Sequence, residues 1–190
     1  MKTEKKYLFI HVNKCGGTSM KQAFKNVKSI WIPPANKLIS LAKEEKWNHL
    51  NKFSIVRHPV SRLLSLQGML LKLRRKHISL TEIMDLVEDS SISYYKFSNQ
   101  KEYIKRHALP FTHPHYQVYR DGKLNIDKIW RLEELDTAKE EMESFLNTKL
   151  SIPKKNTSTH RELNPKEKER IIKVYKEDIE AMYRDFVWDL

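Results

Sequence analysis

Residues Tyr7–Ser19, YLFIHVNKCGGTS, constrain this chain more than any other stretch. An apolar, β-prone run from Tyr7 to Val12 ends at Asn13 and enters a Lys-Cys-Gly-Gly turn. A helix-like segment opens at Thr18 and Ser19. A strand feeding a glycine-containing loop and a helix start is a geometry that holds phosphate or sulfate. Backbone N–H groups converge on the anion, glycine permits close approach, and Lys14 adds a point charge. The chain has only four glycines and spends two of them, Gly16 and Gly17, on this turn.

At 190 residues the chain is long enough to bury a core and is read as a single domain, 1–190. Hydrophobic residues at 39% and charged residues at 32% fit a globular protein, not a disordered one. The longest apolar runs fall far short of the roughly 20 residues of a membrane span. The N-terminal MKTEKK shows no secretory pattern. The single cysteine, Cys15, excludes an internal disulfide framework and suits a reducing cytoplasm. Cys15 itself reads as a small residue tolerated in a tight turn.

The net charge of +12 points to an anionic partner, with clusters at Lys72–Lys76 and Lys154–Lys155. Charge alone does not distinguish a nucleotide from a sulfated sugar, a phospholipid or a nucleic acid. A basic module that binds nucleic acid would explain it, but aromatics are not interleaved with the basic clusters as base stacking needs. An ATP-dependent kinase is disfavoured because G-x-x-x-x-G-K-[ST] is absent, Lys14 preceding its glycines.

Further along, Ser29–Ile32 reads as a short strand stopped by Pro33-Pro34, and Asn36–Lys46 as a short helix. Phe53–Arg57 (FSIVR) has the apolar character of a buried parallel strand. Pro59 suits the first turn of a helix that continues through Leu73. Ser79-Leu80-Thr81-Glu82 has capping-box spacing. Residues 90–110 read as helical, Ile126–Leu132 as a strand, and Asp136 as the cap of a helix over Thr137–Leu146. Asn164-Pro165 opens a final helix to roughly Tyr183. This alternation predicts an α/β domain, a three-layer α/β/α arrangement around a central parallel sheet. Ligands in such sheets bind beyond the carboxyl ends of the strands, where the Lys14 loop and Arg57 both lie.

A second stretch, Val56-Arg57-His58-Pro59-Val60-Ser61-Arg62-Leu63-Leu64-Ser65, places a guanidinium at a strand end and a hydroxyl two turns into the next helix. Arg57 can grip a phosphate through two parallel hydrogen bonds, and Arg62 lies three residues before Ser65.

Together the two stretches resemble a known family. FIHVNKCGGTS is similar to the HIPKTGGTS-type loop of sulfotransferases, and IVRHPVSRLLS to their R-x-P-x-x-R-x-x-S element. The likeness is to carbohydrate sulfotransferases of the heparan sulfate 2-O- and chondroitin types and to their small bacterial and viral cousins. Three weaker similarities follow: IWRLEEL (129–135) to the strand ending in an xEdL turn, Lys155-Asn156-Thr157-Ser158 to the cofactor-covering loop, and YKEDIEAMYRDF (175–186) to the closing helix.

The resemblance implies the P-loop NTPase-like sulfotransferase fold. It also implies transfer of a sulfuryl group from 3′-phosphoadenosine 5′-phosphosulfate to a hydroxyl on a carbohydrate, an anionic saccharide being among the candidate acceptors. The by-product is adenosine 3′,5′-bisphosphate, and no metal is needed. Lys14, Cys15, Gly16, Gly17, Thr18 and Ser19 would cradle the 5′-phosphosulfate. Arg57 and Ser65 would hold the 3′-phosphate, and Asn156 and Ser158 would close over the nucleotide. Asn13, Cys15 and His58 depart from the common pattern, the last replacing Asp or Asn before Pro59. For the general base, histidine suits neutral pH. His115 leads, because Thr112–Gln117 resembles the D-x-H-W-x-P-Q segment of chondroitin-type enzymes. His49 and His113 follow, while His11 reads as a packed residue that orients the loop.

Overall fold

The computed structural model describes residues 6–33, 45–73, 78–93, 98–113, 116, 119–120, 123–153 and 162–185. The chain separates into two compact units, 1–57 with 111–156 and 58–110 with 157–190. The boundary between Arg57 and His58 falls inside the second motif.

The first unit is built on a parallel sheet in the order β2-β1-β3-β6, from β1 (Tyr7–Ile10), β2 (Ile30–Trp31), β3 (Asn51–Val56) and β6 (Lys128–Arg131). A separate antiparallel pair, β4 (Tyr119–Arg120) and β5 (Lys123–Leu124), precedes β6. Register fixes which residues face which core. Phe9, Phe53, Ile55 and Trp130 point to one side and pack with Met20 of α1 (Gly17–Ala23) and with Phe24, which ends that helix. Met142 and Leu146 of α2 (Leu135–Leu146), numbered here within this unit, join the same cluster. Phe9, Phe24 and Phe53 meet at centroid distances of 5.3 to 5.6 Å, two of the three contacts edge-on. The alternate residues Leu8, Ile10, Ser54 and Val56 are buried as well. Both faces are therefore out of water, as a central parallel sheet requires.

Strand pairing is pinned at each end. At the amino end Asp127 accepts from the Lys52 amide at 2.5 Å while its own amide donates to the Lys52 carbonyl at 2.8 Å. At the carboxyl end the fully buried Ser54 hydroxyl donates to the Ile10 carbonyl at 2.7 Å, where β1 gives way to the loop.

The second unit is helical among its described residues: α3 (Pro59–Lys72), α4 (Leu80–Glu88), α5 (Gln100–Ala108), α6 (Pro165–Val174) and α7 (Lys176–Met182). Leu63, Leu66, Leu70, Leu80, Ile83, Ile104, Ile171 and Tyr175 are among the residues forming its core. Both capping boxes form, Ser79 with Glu82 and Asn164 with Glu167.

Several expected boundaries move, each for a local reason. β1 stops at Ile10, not Val12, because the Val12 carbonyl accepts from Cys15 N at 3.4 Å and starts the turn. Among the described residues the expected helix over 90–110 is helical from Gln100 to Ala108, with Asn99 accepting from the Glu102 amide at 3.0 Å; Pro110 then disfavours helix at Leu109. Asp136 does not cap α2: a 3-10 turn over Leu132–Glu134 runs straight into the helix and leaves Asp136 in its first turn. The final helix is two. Tyr175 ends α6 and begins α7, its hydroxyl donating to the Ala108 carbonyl and holding the junction in the core. Most of the expected helix Asn36–Lys46 lies outside the described residues; Glu45–His49 is a 3-10 turn.

Candidate active site

Register determines what meets at the carboxyl edge of the sheet. Ile10 pairs with Ser54, and Val56 with Arg131. The loop from Asn13 to Gly16, Arg57 and Arg131 therefore all leave the sheet from the same end. Arg131 bonds Glu134 at 3.2 Å across the turn that follows it.

The loop has two left-handed residues, Lys14 at φ 67° and Gly16 at φ 70°. Gly16 is required twice over, since a Cβ there would also sit 2.6 Å from Leu132 Cδ1. The Leu132 side chain thus packs onto the loop, so the WRLEEL turn and the Lys-Cys-Gly-Gly turn are in contact. A Cβ on Gly17 would lie 1.8 Å from His11 Nε2. The space that the two missing side chains leave is taken by Leu132 at Gly16 and by His11 at Gly17. The Cys15 side chain is buried and its thiol faces the Asn13 carbonyl at 3.6 Å, in keeping with a small residue tucked into a turn. Helix α1 makes its first internal bond from Met20 N to Gly16 O at 3.1 Å, and no side chain caps it. The N–H groups of Gly17, Thr18 and Ser19 thus have no intrahelical acceptor. Thr18 is exposed and Ser19 is buried.

The second motif is divided. Arg57 is half-buried directly after β3, whereas Ser65 is half-buried in α3 of the other unit. Arg62, which the spacing placed beside Ser65, is 2% exposed, and its guanidinium donates to the His107 carbonyl at 3.3 Å in the last turn of α5. It holds a helix end. His58 does the work that Asp or Asn would do: its Nδ1 accepts from Val60 N at 3.3 Å and caps α3. An accepting Nδ1 must be unprotonated, and burial pushes the imidazole pKa down to about 3. Tyr183 meets the ring edge-on at 5.1 Å. Sequence reasoning missed this role, although its signal, a side chain able to accept just before a Pro at the first helical position, was present.

The histidine candidates separate. His49 is exposed and precedes β3 at its amino end, so six residues of strand, roughly 20 Å, lie between it and the edge carrying the Lys14 loop. The structure does not bring it to the site. His113 is half-buried and its carbonyl accepts from Tyr116 N at 3.0 Å; Phe111 and Tyr116, on either side of it in sequence, are buried. His115, Asn156 and Ser158 lie outside the described residues. Among the described residues no cluster of three or more His, Cys, Asp or Glu is arranged to hold a metal, and no helix is long and apolar enough to cross a membrane.

The first unit is thus an α/β layer around a parallel sheet, with a lysine-glycine loop and an arginine leaving that sheet at one edge. The sequence matches the sulfotransferase family over residues 1–183, and the chain belongs to that family. A solved sulfotransferase from Alicyclobacillus acidocaldarius superposes with a TM-score of 0.57 at 15% identity, covering 99% of this chain and 98% of that one. At that identity the likeness speaks for the fold. No curated protein sequence matches the chain.

Proposed function

We propose that this protein transfers a sulfuryl group from 3′-phosphoadenosine 5′-phosphosulfate to a hydroxyl group, on a carbohydrate acceptor. The observation that carries this reading is the parallel register that delivers the Lys14 loop and Arg57 to one sheet edge, within a chain of the sulfotransferase family. The donor set suits a nucleotide with an anion at each end. Lys14 and the N–H groups of Gly17, Thr18 and Ser19 serve the 5′-phosphosulfate, with the exposed Thr18 hydroxyl as a further donor. Arg57 serves the 3′-phosphate, and the motif adds the Ser65 hydroxyl. Asn156 and Ser158 complete the cover by the same resemblance.

The donor supplies an electrophilic sulfur; a bond forms from it to the acceptor oxygen as the sulfur–oxygen bond to the 5′-phosphate breaks, releasing adenosine 3′,5′-bisphosphate. Lys14 neutralises the charge that grows on the departing phosphate oxygen, and the loop holds the group in line. The acceptor proton passes to a histidine, His115 first by the resemblance of Thr112–Gln117 and His113 next, with His49 set aside at the amino end of β3.

The test is transfer of labelled sulfate from that donor to a panel of glycans and phenols, with thermal melting alongside. Adenosine 3′,5′-bisphosphate should raise the melting temperature where equimolar ATP does little. Labelling of saccharides supports the reading. Stabilisation by ATP alone, with no sulfate transferred to any hydroxyl, contradicts it.

A further inference from the structure

His11 follows β1 by one residue and continues the face that carries Phe9, whose ring centre is 6.1 Å from its own. The imidazole is half-buried and lies flush against Gly17: a Cβ built on Gly17 would be 1.8 Å from Nε2, 2.4 Å from Cδ2 and 2.9 Å from Cε1. Three ring atoms inside 3 Å mean that the ring fills the side-chain position of residue 17. Gly17 is not in the left-handed region, so its backbone would accept any residue, and the obstacle to a side chain is the ring itself. Gly16 differs, since its positive φ would strain any side chain independently of Leu132.

We infer that His11 is a positioning residue for donor binding, acting through Gly17: the ring seats the backbone of residues 14–19 and sets where Lys14 and the Gly17–Ser19 amides point. This rests on the sulfotransferase reading and deepens it. The pairing of a ring with a missing side chain is specific in shape, because a displaced ring or an empty seat would each let the loop shift. A misplacement of about 1 Å in a positioned group costs on the order of a hundredfold in rate.

The shape relation gives its own test by exchange of bulk, read as the dissociation constant of adenosine 3′,5′-bisphosphate and as donor and acceptor KM. Gly17→Ala drives the ring out and should weaken nucleotide binding on the order of tenfold to a hundredfold. His11→Ala empties the seat, cannot clash, and should raise donor KM while leaving acceptor KM unchanged, a split that a merely stabilising residue would not produce. The double variant His11→Ala with Gly17→Ala puts a methyl where the ring was and should bind more tightly than Gly17→Ala alone. Wild-type affinity in His11→Ala, or a double variant no better than Gly17→Ala, overturns the inference. If Gly17→Ala does not fold, His11→Ala against wild type decides. Failure of the unaltered protein to bind the bisphosphate would instead remove the sulfotransferase reading, so the two failures are distinct.

Discussion

Lys14 and His58 each sit where local backbone geometry decides what a substitution does, Lys14 in a left-handed turn and His58 at a helix cap. Lys14 is placed by the turn that begins at Val12 and is held in a left-handed conformation that costs alanine no more than lysine. Lys14→Ala should therefore leave the melting temperature within a degree or two while lowering kcat on the order of a hundredfold to a thousandfold, as loss of one charge-stabilising donor does. Steady-state rates with unaltered melting would confirm this; wild-type kcat would take the loop out of the chemistry. His58 was legible only as a departure from a motif. Its cap needs a neutral ring, and burial holds the folded pKa near 3 against about 6.5 in the unfolded chain. Between those values the unfolded state binds the extra proton, so its contribution to stability is complete above pH 6.5 and is lost as pH falls toward 3. His58→Asn keeps a capping oxygen and removes the titration. Its urea midpoint should match the wild type at pH 7.5 and exceed it at pH 5, and equal pH profiles would show that the ring is not the group responsible.

Elements were legible where a local chemical signal marks them and illegible where tertiary packing decides. Both capping boxes could be read because Ser79 and Glu82, and Asn164 and Glu167, carry the chemistry in their spacing. Asp136 has the chemistry without the geometry, since the Leu132–Glu134 turn runs on into the helix. The contrast is measurable: Ser79→Ala should cost about 1 kcal/mol by denaturant unfolding, whereas Asp136→Ala should cost only a few tenths, the value of a carboxylate in a first turn. The break at Tyr175 carries no glycine or proline to announce it, because what ends α6 is a buried hydroxyl reaching the Ala108 carbonyl, 67 residues earlier. Gly68 is the opposite case, a helix-interior glycine in α3 with nothing within 4 Å of a Cβ. Gly68→Ala should stabilise the protein by about 0.5–1 kcal/mol, seen as a higher urea midpoint at constant slope. A lower midpoint would mean that the space around it is used.

For the whole molecule, the parallel α/β class followed from apolar runs alternating with helical periodicity, and the family from two motifs that share a strand-end context. His11 could be read as packed, but that its ring takes the side-chain position of Gly17, and Leu132 that of Gly16, was not legible, because sequence shows that a glycine is wanted and not what occupies its place. The net charge of +12 pointed toward an anion without choosing one. The central claim is that Lys14 and Arg57 grasp opposite ends of a single nucleotide. Isothermal titration of adenosine 3′,5′-bisphosphate and of adenosine 5′-monophosphate, each against wild type and Arg57→Ala, tests it most directly. The account predicts that the wild type favours the bisphosphate by about 2–3 kcal/mol, the worth of a charge-assisted pair. Arg57→Ala should erase that preference and leave the monophosphate affinity unchanged. A variant that still favours the bisphosphate as strongly as the wild type would show that Arg57 does not read the 3′-phosphate.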